Sequence, residues 1–217
     1  MLYLIVLLIQ LVIGSKLRFE SQRDHDRIDQ MIGLEDMSLL GNQTLYSGYF
    51  NITSSKRLHY FFVEASDAAK KPWALWLNGG PGCSSMEGLF TENGPFKLAS
   101  NGTLKPNPYS WTNLTSILYL ESPIGVGFSY SSNPSDMDKI GDRTATNDAA
   151  RALLTFLSIF KEFATRDFYV TGESYAGKYV PRLMRKLAVL TPFDRILKGA
   201  AIGNGYFRLD CIIFVFI

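Results

Sequence analysis

A chain of 217 residues, 47% of them apolar, is long enough for one domain with a buried core and too apolar to be disordered by default. A formal charge of +2 without a basic stripe argues against nucleic acid as a partner. The two histidines, His25 and His59, and the two cysteines, Cys83 and Cys211, lie far apart. No metal site and no cofactor are expected from them.

Taken in chain order, residues 2–13 form an apolar run with one glutamine, closed by the small residues Gly14 and Ser15. The run is shorter than the roughly 20 residues that cross a bilayer. Residues 1–14 are therefore expected to be a secretory signal peptide, with no stable membrane span. Residues 15–40 mix acids and bases and are expected to form an exposed arm. Sequons begin at Asn42, Asn51, Asn101 and Asn113. Together with a leader they suggest a glycosylated chain in the secretory pathway.

The stretch LYSGYFNITSSKRLHYFFVEAS holds two β-rich runs around a polar turn at Thr53 to Lys56, a hairpin pattern. KPWALWL and SILYLES are short apolar runs bounded by breakers, and fit strands buried on both faces. Residues 148–163 carry Ala149, Ala152, Leu153, Phe156, Leu157 and Phe160 at helical spacing, with Asp142, Thr144 or Asn147 as candidate caps. DFYVT reads as a strand, Val180, Leu183, Leu187 and Leu190 as a second helical face, and LKGAAIGNG as another strand. Strands alternating with helices after a hairpin argue an α/β fold with a mostly parallel sheet and an N-terminal antiparallel hairpin.

Two stretches carry chemistry. Gly172-Glu173-Ser174-Tyr175-Ala176-Gly177 follows an expected strand and opens an expected helix. That is the context of a G-x-S-x-G-type turn, which presents a serine nucleophile on a strained backbone. LWLNGGPGCSS, residues 75–85, ends a strand in a glycine-rich turn able to face its amides outward. The amides of Tyr175 and Gly80 are the candidate oxyanion donors, each worth roughly 10²–10³ in rate.

LWLNGGPGCSS, ENGPF, NPYSW, LYLESPIGVGFSYS and GESYAGKYVP, in this order, resemble the serine carboxypeptidases, the cathepsin A-like group included, over about Leu45 to Gly205. The resemblance implies the N-terminal part of an α/β-hydrolase fold. It also implies removal of C-terminal residues from peptide or protein ends through an acyl-enzyme on Ser174. Asn78, Gly79 and Glu173 would hold the substrate's terminal carboxylate, and Glu92 would share a proton with Glu173. Two carboxyls held together do not both ionise cheaply, and a protonated one donates to a carboxylate. An acid working pH and a lysosomal or secreted location follow from that implication.

The same fold places an aspartate or glutamate and then a histidine after the nucleophile, and no histidine follows Ser174 in this sequence. Residues 206–217, which include IIFVFI, depart from the resemblance and read as an aberrant apolar tail after a partial domain at 41–205. In the resemblance Cys83 pairs with a downstream cysteine, for which Cys211 is a poor substitute. Loss of the base costs a serine protease roughly a millionfold in kcat. These 217 residues alone are therefore expected to be inactive. The alternative reading is a secreted, non-catalytic carboxylate- or peptide-binding protein. Neither reading fixes an oligomeric state.

Overall fold

The computed structural model describes residues 22–34, 36–208 and 211–212. Its strands, in chain order, are β1 (Arg27–Ile28), β2 (Thr44–Asn51), β3 (Lys56–Glu64), β4 (Trp73–Leu77), β5 (Phe96–Leu98), β6 (Leu104–Pro106), β7 (Ser116–Leu120), β8 (Tyr130–Ser131), β9 (Phe168–Glu173), β10 (Leu197–Gly203), β11 (Tyr206–Arg208) and β12 (Cys211–Ile212). The helices used below are α1 (Asp142–Ile159), α2 (Ala176–Leu187) and α3 (Phe193–Ile196). The expected leader at residues 1–14 lies outside the described residues.

The main sheet runs β1-β2-β3-β7-β4-β9-β10, with β8 also on β3. β7, β4, β9 and β10 are parallel neighbours, while β1, β2 and β3 add antiparallel strands, β3 joining β7. β4 and β7 are buried at every position because both sheet faces are covered. Alternate side chains divide between the two faces. Phe62, Leu75, Leu118 and Val170 face α1 and α2, whereas Phe61, Val63, Trp76, Ile117 and Tyr119 face the layer holding Leu34, Leu40, Leu89 and Phe96.

The hairpin turns where the sequence places it. Thr53 Oγ1 accepts from the amides of Ser55 and Lys56, and the Ile52 amide donates to Lys56. α1 begins at Asp142, earlier than the apolar pattern alone marks, because Thr144 Oγ1 accepts from the Gly141 amide and fixes the first turn. Its apolar face drives the packing. The Phe156 ring lies 4.8 Å from that of Trp73 and 4.9 Å from that of Phe62.

The exposed arm expected over residues 15–40 needs correction within its described part. Ile28 pairs with Leu45 in the sheet, and Leu34 and Leu40 are buried. Arg23 bridges Glu162 at 2.7 Å and Glu64 at 3.2 Å while lying over the Phe160 ring. Buried Asp26 accepts from the Tyr60 hydroxyl at 2.8 Å. Two charges that read as solvated, Arg23 and Asp26, are paired with groups far along the chain, whereas Arg27 and Asp29 stay exposed.

Phe156→Ala removes a ring with no exposed surface from the centre of this core. It is expected to cost about 3–5 kcal/mol in urea denaturation of the full chain, while Arg151→Ala on the exposed side of α1 stays within about 0.5 kcal/mol. Equal shifts for the two would contradict the packing described.

Candidate active site

β4 and β9 are adjacent parallel strands whose registers pair Leu77 with Gly172, so both chains leave the sheet at the same level. After β9 the backbone turns at Ser174, which holds φ at 55°, a left-handed conformation rare for a residue with a side chain. Two backbone bonds clamp it. The Ser174 amide donates to Gly203 at 2.9 Å, and the Tyr206 amide donates to the Ser174 carbonyl at 2.7 Å. Ser174 is exposed and stands immediately before α2.

The fifth place of the serine motif is taken by Ala176 rather than glycine, and Ala176 is fully buried. The glycine one place on is required by a neighbour, since a Cβ at Gly177 would stand 2.6 Å from the Tyr206 carbonyl oxygen. Gly79 is equally constrained. A Cβ there would lie 2.6 Å from the Tyr175 nitrogen and 2.7 Å from Ser174 Cβ. The turn after β4 is thus pressed against the Ser174 turn.

Gly80, with φ at +105°, is exposed beside it. Among the described residues neither the Gly80 nor the Tyr175 amide donates to a backbone carbonyl. Gly80, Pro81, Ser174, Tyr175, Asn204 and Tyr206 line one cavity of about 480 Å³. The chemistry available is an exposed hydroxyl beside two uncommitted N–H groups.

The second half of the site gathers around Asn78, which is 2% exposed. Its Oδ1 accepts from Trp76 Nε1 at 2.6 Å and from the Gly88 amide at 3.1 Å, which fixes the amide's orientation. Its Nδ2 donates to Glu92 at 3.0 Å and to Glu173 at 3.2 Å. The carboxyl groups brought together here come from β9 and from a π-helical turn at Gly88–Glu92, a local geometry frequent at functional sites. Asn107 Nδ2 donates to the carbonyls of Glu92 and Gly94 and holds that turn in place. Burial raises the Glu92 pKa above the ordinary glutamate value, Asn78 opposes the rise, and the nearby Glu173 and Glu87 charges add to it.

The family model for serine carboxypeptidase matches residues 37–210. The chain belongs to the serine carboxypeptidase family. It is 42% identical over 201 residues to the lysosomal protective protein of Mus musculus, an alignment covering 92% of this chain and 41% of that protein. Serine carboxypeptidase-like 40 of Arabidopsis thaliana is 43% identical over 190 residues, covering 85% of this chain and 37% of that one. The crystal structure of Kex1ΔP, a prohormone-processing carboxypeptidase from Saccharomyces cerevisiae, superposes with a TM-score of 0.72 at 27% identity, over 85% of this chain and 44% of that one. The fold is that of an α/β-hydrolase, and this chain spans about two fifths of the length of these carboxypeptidase relatives.

Several residues of this carboxypeptidase-family site escape sequence reasoning. Asn204 to Tyr206 form one wall of the cavity, so the site runs past the domain boundary expected at residue 205. The only hint was a Gly-Asn-Gly turn after β10. The histidines lie elsewhere. His25 is exposed beside Asp26, and His59 is buried with Nε2 on Ser47 and Nδ1 3.0 Å from Glu121. Glu121, only 1% exposed, also accepts from the Phe128 amide at 2.7 Å and from Ser84, which belongs to the glycine-rich turn. A buried acid at the end of β7 therefore anchors the loop that carries Gly80. The possible pairing of Cys83 falls on the side chain of Cys211, which lies outside the described set.

Burial pushes the Glu121 pKa up, but the hydrogen bonds from His59, Ser84 and the Phe128 amide outweigh it and hold the carboxyl below its usual range. A depressed carboxylate stabilises the fold above its unfolded pKa of about 4.3, and that stability is lost as pH falls through the folded value. Glu121→Gln is expected to lower stability at pH 7 and to flatten its decline on acidification below pH about 4.3. Urea midpoints between pH 7 and pH 3 read the difference, and an acid profile matching the parent would rule this out.

Proposed function

We propose that the whole protein is a serine carboxypeptidase that removes C-terminal residues from peptides at acid pH through an acyl-enzyme on Ser174. The observation that carries this reading is Asn78, whose single amide gathers Glu92 and Glu173 next to the Ser174 turn. A lone serine elbow serves esterases and peptidases alike. A paired-carboxyl subsite beside it suits a substrate that ends in a carboxylate.

In this reading the terminal carboxylate lies against Asn78, Gly79 and the Glu173–Glu92 pair, one of whose carboxyls is protonated and donates. Ser174 Oγ attacks the last peptide carbonyl, and the developing oxyanion is held by the Gly80 and Tyr175 amides. The C–N bond breaks, the terminal amino acid leaves as the amine, and water then cleaves the ester. The proton from Ser174 passes to a base that neither histidine of this chain supplies, because His59 is bonded through both ring nitrogens and His25 sits beside Asp26. That engagement of both histidines favours a second reading for these residues by themselves, carboxylate binding without turnover. Asn42, Asn51, Asn101 and Asn113 are all exposed, which supports glycosylation in the secretory pathway and a secreted or lysosomal protein.

The Glu92 pKa is raised, so its neutral, donating form is lost as pH rises through the raised value. The full chain is expected to bind an N-blocked dipeptide with a free C-terminus at pH 5, and to bind it about tenfold more weakly for each pH unit above the raised value. The amidated dipeptide should bind poorly at every pH, and Glu92→Gln should remove the pH dependence. Turnover by these 217 residues alone is expected at background level, unchanged in Ser174→Ala. Equal binding of the amide and the acid would sink the carboxylate subsite, and turnover abolished by Ser174→Ala would sink the statement about the missing base.

A further inference from the structure

Away from the Ser174 cavity, a groove of about 280 Å³ opens between the start of α1 and the last turns of α2. It is lined by Arg143, Thr146, Asn147, Arg182, Arg185 and Lys186. Four of these six are cations. Among the described residues, Arg143, Arg185 and Lys186 make no ion pair, and Arg182 reaches Asp142 only at 3.6 Å. Two cations elsewhere are held more tightly, Arg23 by Glu162 at 2.7 Å and Lys56 by Asp148 at 2.9 Å.

Helix stability does not account for this arrangement. Arg182 stands three residues before Arg185 and four before Lys186. These are neighbouring positions at which like charges weaken a helix. The dipole of α2 favours Arg185 and Lys186 in its last turn. Arg143 has no such support, because it lies in the first turn of α1, at the positive end of that dipole. Asn147 adds an amide that donates to no described partner.

Four cations converging on one groove are complementary to negative charge. Guanidinium forks match the oxygens of tetrahedral anions in a bidentate way, and the amino end of a helix favours the same ligands. We propose that this groove binds a compact dianionic oxyanion group, a phosphate or a sulfate. The ligand stands between the two helices, with Arg143 and Arg185 on its flanks and Arg182 drawn off its loose contact with Asp142.

Calorimetric titration of the full chain with inorganic phosphate and with sodium sulfate, at constant ionic strength set by sodium chloride, tests the site. Saturable binding at one site is expected at pH 7 for both ions. At pH 5, where phosphate has lost its dianionic fraction, phosphate should weaken and sulfate should not. Arg143→Ala combined with Arg185→Ala should weaken binding at least tenfold. Asp142→Asn should tighten it, and Arg57→Ala, outside the groove, should leave it unchanged. Arg143→Lys with Arg185→Lys keeps the charge and guards against misfolding, and is expected to weaken binding less than the alanine pair. Binding that is unsaturable, equally competed by chloride, or unaltered in both double variants overturns the proposal. Neither Ser174 nor Glu92 takes part, so this outcome is independent of the peptidase reading.

Discussion

Everything around Ser174 depends on one close approach, that of the Asn78–Gly80 turn to the Ser174–Tyr175 turn. With a Cβ at residue 79 confined to 2.6 Å from the Tyr175 nitrogen, there is no room for any side chain between them. That approach requires β4 and β9 to be neighbours, parallel, and in a register that ends both strands at one level. Burial of β4 and β7 on both faces fixes the register, because a slip by one residue would move every apolar side chain to the wrong layer. The aromatic packing of α1 on the sheet thus supports, at a distance, the meeting of the two turns.

The polar groups show how one residue type is made to do opposite things. Glu92 and Glu121 are both drawn out of water at strand or helical-turn ends. Burial, joined by a second carboxylate, holds the proton of Glu92 more tightly against the opposing pull of its one amide donor. Glu121 meets His59, Ser84 and a backbone amide, so its charge is held instead. The first arrangement creates a group able to donate to an anion. The second creates a fixed anchor for the loop carrying Gly80.

Much of the fold was legible because its signals are local. The hairpin turn at Thr53–Lys56, the short apolar strands and the helical spacing of Leu153, Phe156 and Phe160 each follow from neighbours in sequence. The serine elbow was legible because its strain demands small residues at fixed offsets. Long-range polar pairing left no such trace. Arg23, Asp26 and Glu121 look like ordinary surface charges in the sequence, and only their distant partners Glu162, Tyr60 and His59 reveal that they are structural. Asn204 to Tyr206 were missed for a related reason, since a turn after a strand carries no label for the cavity it will face.

The clamp on Ser174 also has a consequence in time. Gly203 and Tyr206, which bracket Ser174 from both sides, follow it in the chain by about 30 residues, whereas Gly80 precedes it by nearly a hundred. During synthesis from the amino end, the glycine-rich turn and the serine can meet before β10 has emerged, but the strained backbone at Ser174 has nothing to close it until then. The Ser174 turn therefore lacks both clamping bonds until Gly203 and Tyr206 have been made. A nascent chain that already contains Asn78, Glu92 and Glu173 still lacks the two backbone bonds that close the Ser174 turn.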